Sequence, residues 1–310
     1  MNLFCREASI NIEQSEGKSS NFKNSSLLFL FMKQKCLVLF SGGLDSRLAV
    51  KIMQERGFEV LAVHFNLPFG CGCCNFGCNF KFAQMSGVKF EIFDVTKRRL
   101  LKEYLQVLKK GKHGRGAGYN PCKDCKIWMF KKAKKYADKK RIKIIATGEV
   151  LGQRPMSQTA KAMKVIDKEI GFELTRPLIE KGISGRSRKK QMALAKRYRI
   201  KYPTPGGGCL LCEKALRKRF EVLIDKNLIN EKTLLLVNIG RHFCKDNCWF
   251  VVARDAKECE VIEKFKGNFV KGMKGKPSVY FDKKSGREFA KKLQEDYKTG
   301  GEKKFSRKRL

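Results

Sequence analysis

The chain has 310 residues, enough for about two domains at roughly 150 residues each, and its 42% of hydrophobic residues excludes wholesale disorder. Its 68 Lys and Arg against 30 Asp and Glu leave a net charge of +38, which favours a polyanionic partner such as nucleic acid. The longest purely apolar run, residues 27–32, is far below the roughly 20 residues that span a bilayer. We therefore expect no membrane partner and a cytoplasmic location.

Residues 1–34 are rich in Ser and Asn and show no sustained helical or strand period. Met32 lies just before the first convincing strand. We hypothesise that the true start is Met32 and that 1–34 is an extension whose upstream part is wrongly assigned to the protein.

Short apolar runs alternate with helical stretches from residue 36 onwards. The runs lie at 36–40, 59–65, 88–95 and 142–147, and 123–140 is a typical helical stretch between two of them. Apolar strands that alternate with helices predict an α/β fold, an open parallel sheet with helices on both faces.

The first domain is predicted at 35–225. Within it, 186–201 reads as a basic helix without an acidic residue, and the sequence YPTPGGGC that follows cannot continue a helix or central strand. Residues 226–297 are predicted to form a small α+β module, and 298–310 a solvated basic tail. The strand-like runs of that module are TLLLVNIG, CWFVVAR and SVYF.

The sharpest motif is SGGLDS, which comprises Ser41, Gly42, Gly43, Leu44, Asp45 and Ser46. It follows a strand and precedes an amphipathic helix. Its glycines allow a tight turn whose N–H groups face an anion, and its aspartate can hold Mg²⁺ against phosphate oxygens. The chain contains no GxxxxGK(S/T) motif.

This strand, loop and helix resemble the PP-loop of the N-type ATP pyrophosphatases. The resemblance implies binding of ATP with Mg²⁺ and cleavage between the α- and β-phosphates. A second segment, TGEVLGQ at 147–153 with PMSQT at 155–159, is similar to a stretch of the ThiI-like tRNA thiouridine synthases. By that likeness Gly148 and Gln158 line the nucleotide pocket, and His64 and Phe65 lie where relatives meet adenine.

Two Cys-x-x-Cys pairs carry the second chemical signal. Cys122 and Cys125 open a helix, where the helix dipole and neighbouring lysines are expected to lower the thiol pKa values. Cys209 and Cys212 follow three glycines. The spacing leaves open structural zinc on four thiolates, a redox or persulfide pair, and an iron–sulfur (4Fe-4S) cluster on three.

The segments KHGRGAGYNPCKDCK and PTPGGGCLLC are similar to the cysteine segments of ThiI-like and related enzymes that use the cluster. The sequence has no rhodanese-like or THUMP-like region, which favours sulfide over a persulfide as donor. The resemblance implies Cys122, Cys125 and Cys209 as catalytic cluster ligands and Cys212 as a spare or fourth ligand. The role of a further group stays open between local structure, zinc and sulfur relay; it comprises Cys71, Cys73, Cys74 and Cys78.

Basic residues near 186–201 suit phosphate contacts, which position RNA without reading its sequence. The predicted RNA-binding residues are Arg186, Arg188, Lys189, Lys190, Arg197 and Arg241. Arg241 and its neighbour His242 lie in a segment that resembles the C-terminal module of the short synthases, and a solvated surface role is an equal alternative for both.

The resulting hypothesis is an ATP-dependent tRNA uridine sulfurtransferase of the 4-thiouridine type. It adenylates a uridine carbonyl and replaces the oxygen with sulfur. The alternatives are a 2-thiouridine synthase of the same chemistry, an amidating PP-loop ligase, and a zinc-stabilised RNA-binding protein with a degenerate loop. The sequence leaves a homodimer open.

Overall fold

The structure is a computed structural model that describes residues 33–70, 76–204 and 208–310. The hypotheses about Met32 and about Cys71, Cys73 and Cys74 concern residues outside these ranges. Residues 35–310 form one compact unit.

A four-stranded parallel sheet forms the first half of this unit. Its strands are β1 (Lys35–Leu39), β2 (Glu59–Asn66), β3 (Lys89–Asp94) and β4 (Ile144–Thr147), in the order β3-β2-β1-β4. Leu37 lies opposite Leu61 on one side and Ile145 on the other. The predicted strands and the α/β class are confirmed.

Helices cover both faces of this sheet. In β1, Cys36 and Val38 join one buried cluster with Leu48, whereas Leu37 joins another with Phe130. Such burial on both faces explains why the strands read as continuous apolar runs. The helices of this half are α1 (Leu44–Glu55), α2 (Phe76–Met85), α3 (Arg98–Lys110), α4 (Cys122–Lys139), α5 (Ala160–Ile170), α6 (Pro177–Glu180), α7 (Lys189–Arg197) and α8 (Arg217–Asp225).

The second half begins with a short helix, α9 (Leu234–Val237). It continues with β5 (Arg241–Lys245), β6 (Cys248–Val252), α10 (Ala256–Lys264), β7 (Asn268–Val270), β8 (Val279–Phe281) and α11 (Arg287–Asp296). Its four strands form an antiparallel sheet with the order β5-β6-β8-β7. Trp249 and Tyr280 belong to the same hydrophobic cluster as Leu37. The division of the chain into domains at 225/226 stays a prediction.

Two predicted elements differ from the structure. The helix predicted at 186–201 is only α7, because Gly185 donates to Leu151 O (2.6 Å) before it and Arg199 adopts a left-handed φ of +52° after it. The strand predicted at 233–240 is wrong, since α9 forms there. Asn230 Oδ1 accepts the N–H of Thr233, a turn that favours helix over strand.

The predicted solvated tail at 298–310 is largely exposed, as expected, but its last residues are also hydrogen-bonded to the fold. Asp296 accepts the N–H groups of Lys304 and Phe305, and the Leu310 N–H donates to His242 O (2.9 Å). The tail therefore packs along the antiparallel sheet. Among the described helices, none is long and apolar enough to cross a membrane.

His242 is fully buried in β5 and neutral. Its Nε2 donates to Ile239 O (2.8 Å), and its Nδ1 accepts from Trp249 Nε1 (3.1 Å). Burial, helped by the charge of Arg219, lowers its pKa from 6.5 to about 3. The alternative roles of His242 as a surface residue or an RNA contact are both corrected to a core residue.

Unfolded His242 takes up a proton near pH 6.5, whereas the folded residue does so only near pH 3. The free energy of unfolding should therefore fall as the pH drops from 6.5 towards 3. Between pH 7 and pH 5 this residue should cost about 2 kcal/mol of the free energy of unfolding. Urea unfolding of the wild type and of His242→Gln at both pH values measures it. Equal pH dependence in the two proteins would contradict the buried neutral state.

Candidate functional site

The loop after β1 is closed by hydrogen bonds of its own. Gly42 has φ +85°, and its N–H donates to Ser46 Oγ (3.1 Å), which in turn donates to Gly43 O (2.9 Å). Ser41 Oγ also lies 3.3 Å from Ser46 Oγ. Gly43 caps α1 without a side chain, so the first N–H groups of the helix face outwards as an anion site.

Asp45 lies in the first turn of α1 in a desolvated position. Burial raises the pKa of its carboxyl group, and this outweighs the opposing effects of Gln153, Arg188 and Arg154. Its Oδ1 has no hydrogen-bond partner. A desolvated carboxylate beside cations at a helix N-terminus is suited to a metal-bound phosphate.

Arg47 was not predicted from the sequence, yet it holds the loop in place. Its guanidinium donates to Gly42 O (2.7 Å), Lys201 O (2.7 Å) and Cys78 Sγ (3.0 Å), and lies over the Phe82 ring. It is 4% exposed. The only signal in the sequence is a cation on the apolar side of the helix, directly after the loop.

Gly148 follows β4 and lies on the loop backbone. A Cβ at this position would come within 2.7 Å of the Asp45 carbonyl and the Ser46 nitrogen, so the glycine is required for the contact. The next residue, Glu149, is buried and pairs with Lys126 and with Arg176 Nε (2.9 Å). The 147–150 stretch thus connects the loop to α4.

The predicted adenine contacts lie in different surroundings. His64 is part-buried, its Nδ1 donates to Phe40 O (2.9 Å), and burial lowers its pKa, so its Nε2 is an acceptor at neutral pH. Phe65 is 8% exposed, stacks on Phe93 and makes an edge-to-face contact with Trp128 in the core. The structure therefore gives Phe65 a packing contact, and only His64 faces the loop.

Gln158 is held near the loop segment by its backbone, since its carbonyl accepts from Gly152 N–H (2.6 Å). Its side chain is buried, and Oε1 has no partner. Buried polar atoms without partners are uncommon and call for a ligand. Gln158 Oε1 and Asp45 Oδ1 are thus both buried oxygens that a bound polar group would satisfy.

The two cysteine pairs are brought together by close backbone packing. A Cβ on Gly118, in the loop before α4, would overlap Leu211 O, so only glycine allows the approach. The second pair is also tied to the segment after β2, because Leu210 N–H donates to Phe69 O (2.9 Å). The turn at 210–212 therefore lies against the start of α4.

Sulfur atoms from both pairs contact one another. Cys212 lies close enough to Cys122 and to Cys209 for these thiols to shift one another's pKa values. Cys125 Sγ lies 3.0 Å from Tyr104 Oη, and Asn120 Nδ2 donates to Cys122 Sγ (3.2 Å). The four predicted thiols thus form one group, which we call the thiol cluster.

The expected lowering of the thiol pKa values is wrong. The hydrogen bond to Cys212, followed by burial, raises the pKa of Cys122 well above its usual range. Burial raises the pKa of Cys125 to about 12. Lys123 and Lys126 are the lysines expected to lower these pKa values. Lys126 pairs with Glu149, and its charge does not outweigh the contact with Cys212 at Cys122 or burial at Cys125.

The thiol cluster offers soft donors, the ligand type of iron–sulfur clusters and zinc. Within residues 33–70, 76–204 and 208–310, no group of three or more His, Cys, Asp or Glu side chains is arranged around a metal position. The thiols are soft donors by their chemistry, but in this arrangement they are not disposed around a metal position.

A histidine fixes the segment that carries the first pair. His113 Nδ1 lies 2.8 Å from Asp124 Oδ1, and its backbone N–H donates to Asp124 Oδ2 (3.1 Å). Its Nε2 lies 3.2 Å from Glu169 Oε1 on α5. Asp124 stands between the two cysteines, so these bonds set the orientation of the turn that holds them.

Arg154 connects the loop and the thiol cluster electrostatically. Its charge acts to lower the pKa of the Asp45 carboxyl and the pKa of the Cys212 thiol. Other effects outweigh it, so both pKa values are raised overall. For Cys212 the hydrogen bond to Cys122 also lowers the pKa, while that to Cys209 and burial raise it. One guanidinium therefore acts on both parts of the site.

The predicted RNA-binding residues near α7 lie at the surface. Four are exposed and Arg188 is half-buried, and none forms an ion pair within the part of the chain that the structure describes. The four exposed residues are Arg186, Lys189, Lys190 and Arg197. Arg241 differs, because it donates to Ala253 O (3.2 Å) and lies over the Tyr297 ring.

A glycine turn at the carboxyl end of β1 in an open parallel sheet, with polar groups from the end of β4, defines a nucleotide-binding α/β protein of the PP-loop class. The family model described as "Thiamine biosynthesis protein (ThiI)" matches residues 31–200, more than half of the chain. The chain belongs to the ThiI family.

Curated relatives carry the name "Probable tRNA sulfurtransferase". One from Saccharolobus islandicus (strain M.16.27) is 29% identical over 212 residues, which are 64% of this chain and 50% of the relative. One from Methanocaldococcus jannaschii is 30% identical over 150 residues, 47% of this chain and 36% of the relative. The chain spans about half the length of the first of these relatives.

Solved structures show weak likeness. A structure titled "predicted subunit of tRNA methyltransferase" from Methanocaldococcus jannaschii has a TM-score of 0.40 at 17% identity, covering 61% of this chain and 89% of its own. An NH3-dependent NAD synthetase from Campylobacter jejuni has a TM-score of 0.34 at 14% identity, covering 56% and 68%. The assignment of the fold rests on the strand order given above.

The contact at Gly148 yields a stability prediction. Gly148→Ala should lower the free energy of unfolding by about 1–3 kcal/mol, because the added methyl group meets backbone atoms that cannot move cheaply. Gly70→Ala is the matched control, since its nearest neighbour would lie at an ordinary 3.6 Å. Denaturant unfolding measures both, and equal losses would contradict the required contact.

Proposed function

We propose that this chain is an ATP-dependent tRNA uridine sulfurtransferase of the 4-thiouridine type. The observation that carries the proposal is the meeting of an anion-binding loop and a thiol cluster at one stretch of chain, 147–154. Gly148 touches the loop, Glu149 holds α4, and Arg154 acts on Asp45 and Cys212.

ATP is the first substrate in this proposal. The N–H groups of the loop and α1 bind its phosphates, and Asp45 holds the accompanying Mg²⁺. The uridine carbonyl oxygen attacks the α-phosphorus, a P–O bond forms, and pyrophosphate leaves. Sulfide then adds to the activated carbon, and AMP leaves with the former carbonyl oxygen. Positioning and charge stabilisation by the loop supply the rate enhancement.

Cys122, Cys125 and Cys209 would hold an iron–sulfur (4Fe-4S) cluster, with Cys212 as a fourth or spare thiol. When bound, the cluster would supply iron that can hold sulfide for transfer. The soft donor set and the contact of both cysteine pairs support this assignment. Zinc on four thiolates is the alternative, and a persulfide is the alternative sulfur donor.

The tRNA phosphates would lie along four exposed cations on α7 and directly before it, which are Arg186, Lys189, Lys190 and Arg197. Arg188 supports this placement, because it also acts on the Asp45 carboxyl, so the basic surface adjoins the nucleotide site. Phosphate contacts of this kind position RNA without reading its bases. The identity of the uridine would follow from the shape of the tRNA.

The first test separates the two half-reactions. Asp45→Ala should reduce pyrophosphate release and thiolation at least about 100-fold together, since it removes the metal-holding carboxylate. Cys122→Ala should keep pyrophosphate release and lose sulfur transfer. The assays are pyrophosphate release with tRNA and mass spectrometry of digested tRNA, which also distinguishes 4-thiouridine from 2-thiouridine.

Two outcomes would count against the proposal. Undiminished thionucleoside formation by Cys122→Ala would refute the role of the thiol cluster. Protein purified without oxygen that carries zinc and no iron, and that binds RNA without releasing pyrophosphate, would favour the zinc-stabilised RNA-binding alternative.

The basic surface gives a second prediction. The double charge reversal Lys189→Glu with Lys190→Glu should weaken tRNA binding and reduce the slope of log K against log salt by about one for each lost phosphate contact. Lys291→Glu with Lys298→Glu is the control, because those lysines already pair with Glu288 and Glu295. Equal weakening by both pairs, measured by filter binding at several salt concentrations, would mean that tRNA does not use the α7 surface.

A further inference from the structure

Asn79, on α2, is a fully buried carboxamide without a partner. Its relative exposure is 0%, and neither Oδ1 nor Nδ2 forms a hydrogen bond. Each hydrogen bond that a buried amide leaves unmade destabilises the fold. Native proteins seldom leave a side chain in this state unless a ligand uses it.

The carboxamide lies directly on the nucleotide loop. A Cβ on Gly42 would overlap Asn79 Oδ1, so the amide occupies the space that any side chain at position 42 would need. Gly42 also has φ +85°, which favours glycine independently. Two separate features of this position therefore adapt the loop to the amide.

The loop's own groups at this point are already used. The Gly42 N–H donates to Ser46 Oγ (3.1 Å), and the Gly42 carbonyl accepts from Arg47 Nε (2.7 Å). Arg47 also contacts Cys78 Sγ (3.0 Å), the neighbour of Asn79, and so fixes α2 to the loop. The amide is held in place, and the loop offers it no partner.

A phosphate supplies the missing partner. The uncapped N-terminus of α1 attracts an anion to the same loop, and a carboxamide N–H is an ordinary donor to phosphate oxygen. Because Asn79 is fully covered, a nucleotide reaches it only if neighbouring groups move on binding.

We infer that Asn79 is a binding residue of the nucleotide site, whose Nδ2 donates to an oxygen of the pyrophosphoryl end of a nucleoside triphosphate. This inference rests on the proposed function and adds a nucleotide-binding residue that lies outside the SGGLDS motif. It assigns the amide to the β- and γ-phosphates, because it contacts the start of the loop rather than the segment after β4.

The experiment compares Asn79→Leu and Asn79→Asp with the wild type. Isothermal titration gives the Kd of Mg·ATP, pyrophosphate and AMP, and calorimetry gives the Tm without nucleotide. Asn79→Leu should weaken Mg·ATP and pyrophosphate about tenfold or more and leave AMP nearly unchanged, because AMP lacks the contacted phosphates. Its Tm without nucleotide should not fall, since the unpartnered polar atoms are gone.

Asn79→Asp keeps the shape and places a negative charge near phosphate, so it should lose more affinity for Mg·ATP than Asn79→Leu does. The control is Gln54→Leu. Gln54 lies on α1, the helix that follows the loop. It also has a buried Oε1 without a partner, but its Nε2 donates to Ser86 O (2.8 Å), away from the loop. It should bind Mg·ATP as the wild type does.

Wild-type affinity of Asn79→Leu for Mg·ATP would overturn the inference. So would equal losses for ATP and AMP with a lower Tm, which would indicate a structural role. If the wild type itself does not bind Mg·ATP, the proposed function fails. If the wild type binds and the Asn79 variants bind equally well, only the role of Asn79 fails.

Discussion

Direct backbone contact between Gly148 and the start of α1 is the constraint on which the site depends. Parallel strands end at a common edge, but that alone leaves side chains between neighbouring segments. Here the absence of a Cβ lets the chain after β4 lie on the loop itself. Glu149 is then carried to α4, where it pairs with Lys126, and the charge of Arg154 acts on Cys212.

A second close approach, at Gly118, completes the arrangement. It places the 210–212 turn on the loop that precedes α4, so cysteines separated by more than eighty residues in the chain meet. Neither approach depends on a long side chain. Both halves of the site are therefore held by rigid backbone, which keeps catalytic groups in register better than flexible side chains do.

The parallel sheet, the glycine loop and the two Cys-x-x-Cys pairs could be predicted from the sequence, because each has a local pattern. The run 36–40 reads as a buried strand, and SGGLDS follows it at once. The run 233–240 was misread because Leu and Val suit either state, and a turn at Asn230 decided for a helix.

Long-range packing could not be predicted. The pKa of Cys125 is governed by burial and that of Cys122 by its contact with Cys212, neither of which is visible from flanking lysines. His242 and Phe65 carry polar or aromatic groups typical of ligand contacts, and both lie in the core. Asn79 has no sequence signal, because its meaning comes only from its position above Gly42.

Arg154 links the electrostatics of the two parts of the site. A single guanidinium field reaches the Asp45 carboxyl and the Cys212 thiol, so negative charge that arrives at one end is felt at the other. By thermodynamic reciprocity, any change in anion affinity at the thiols caused by bound triphosphate is matched by an equal change in triphosphate affinity caused by the anion. An anion bound at either end therefore makes the other end less attractive to a second anion, an electrostatic link that needs no movement of the backbone.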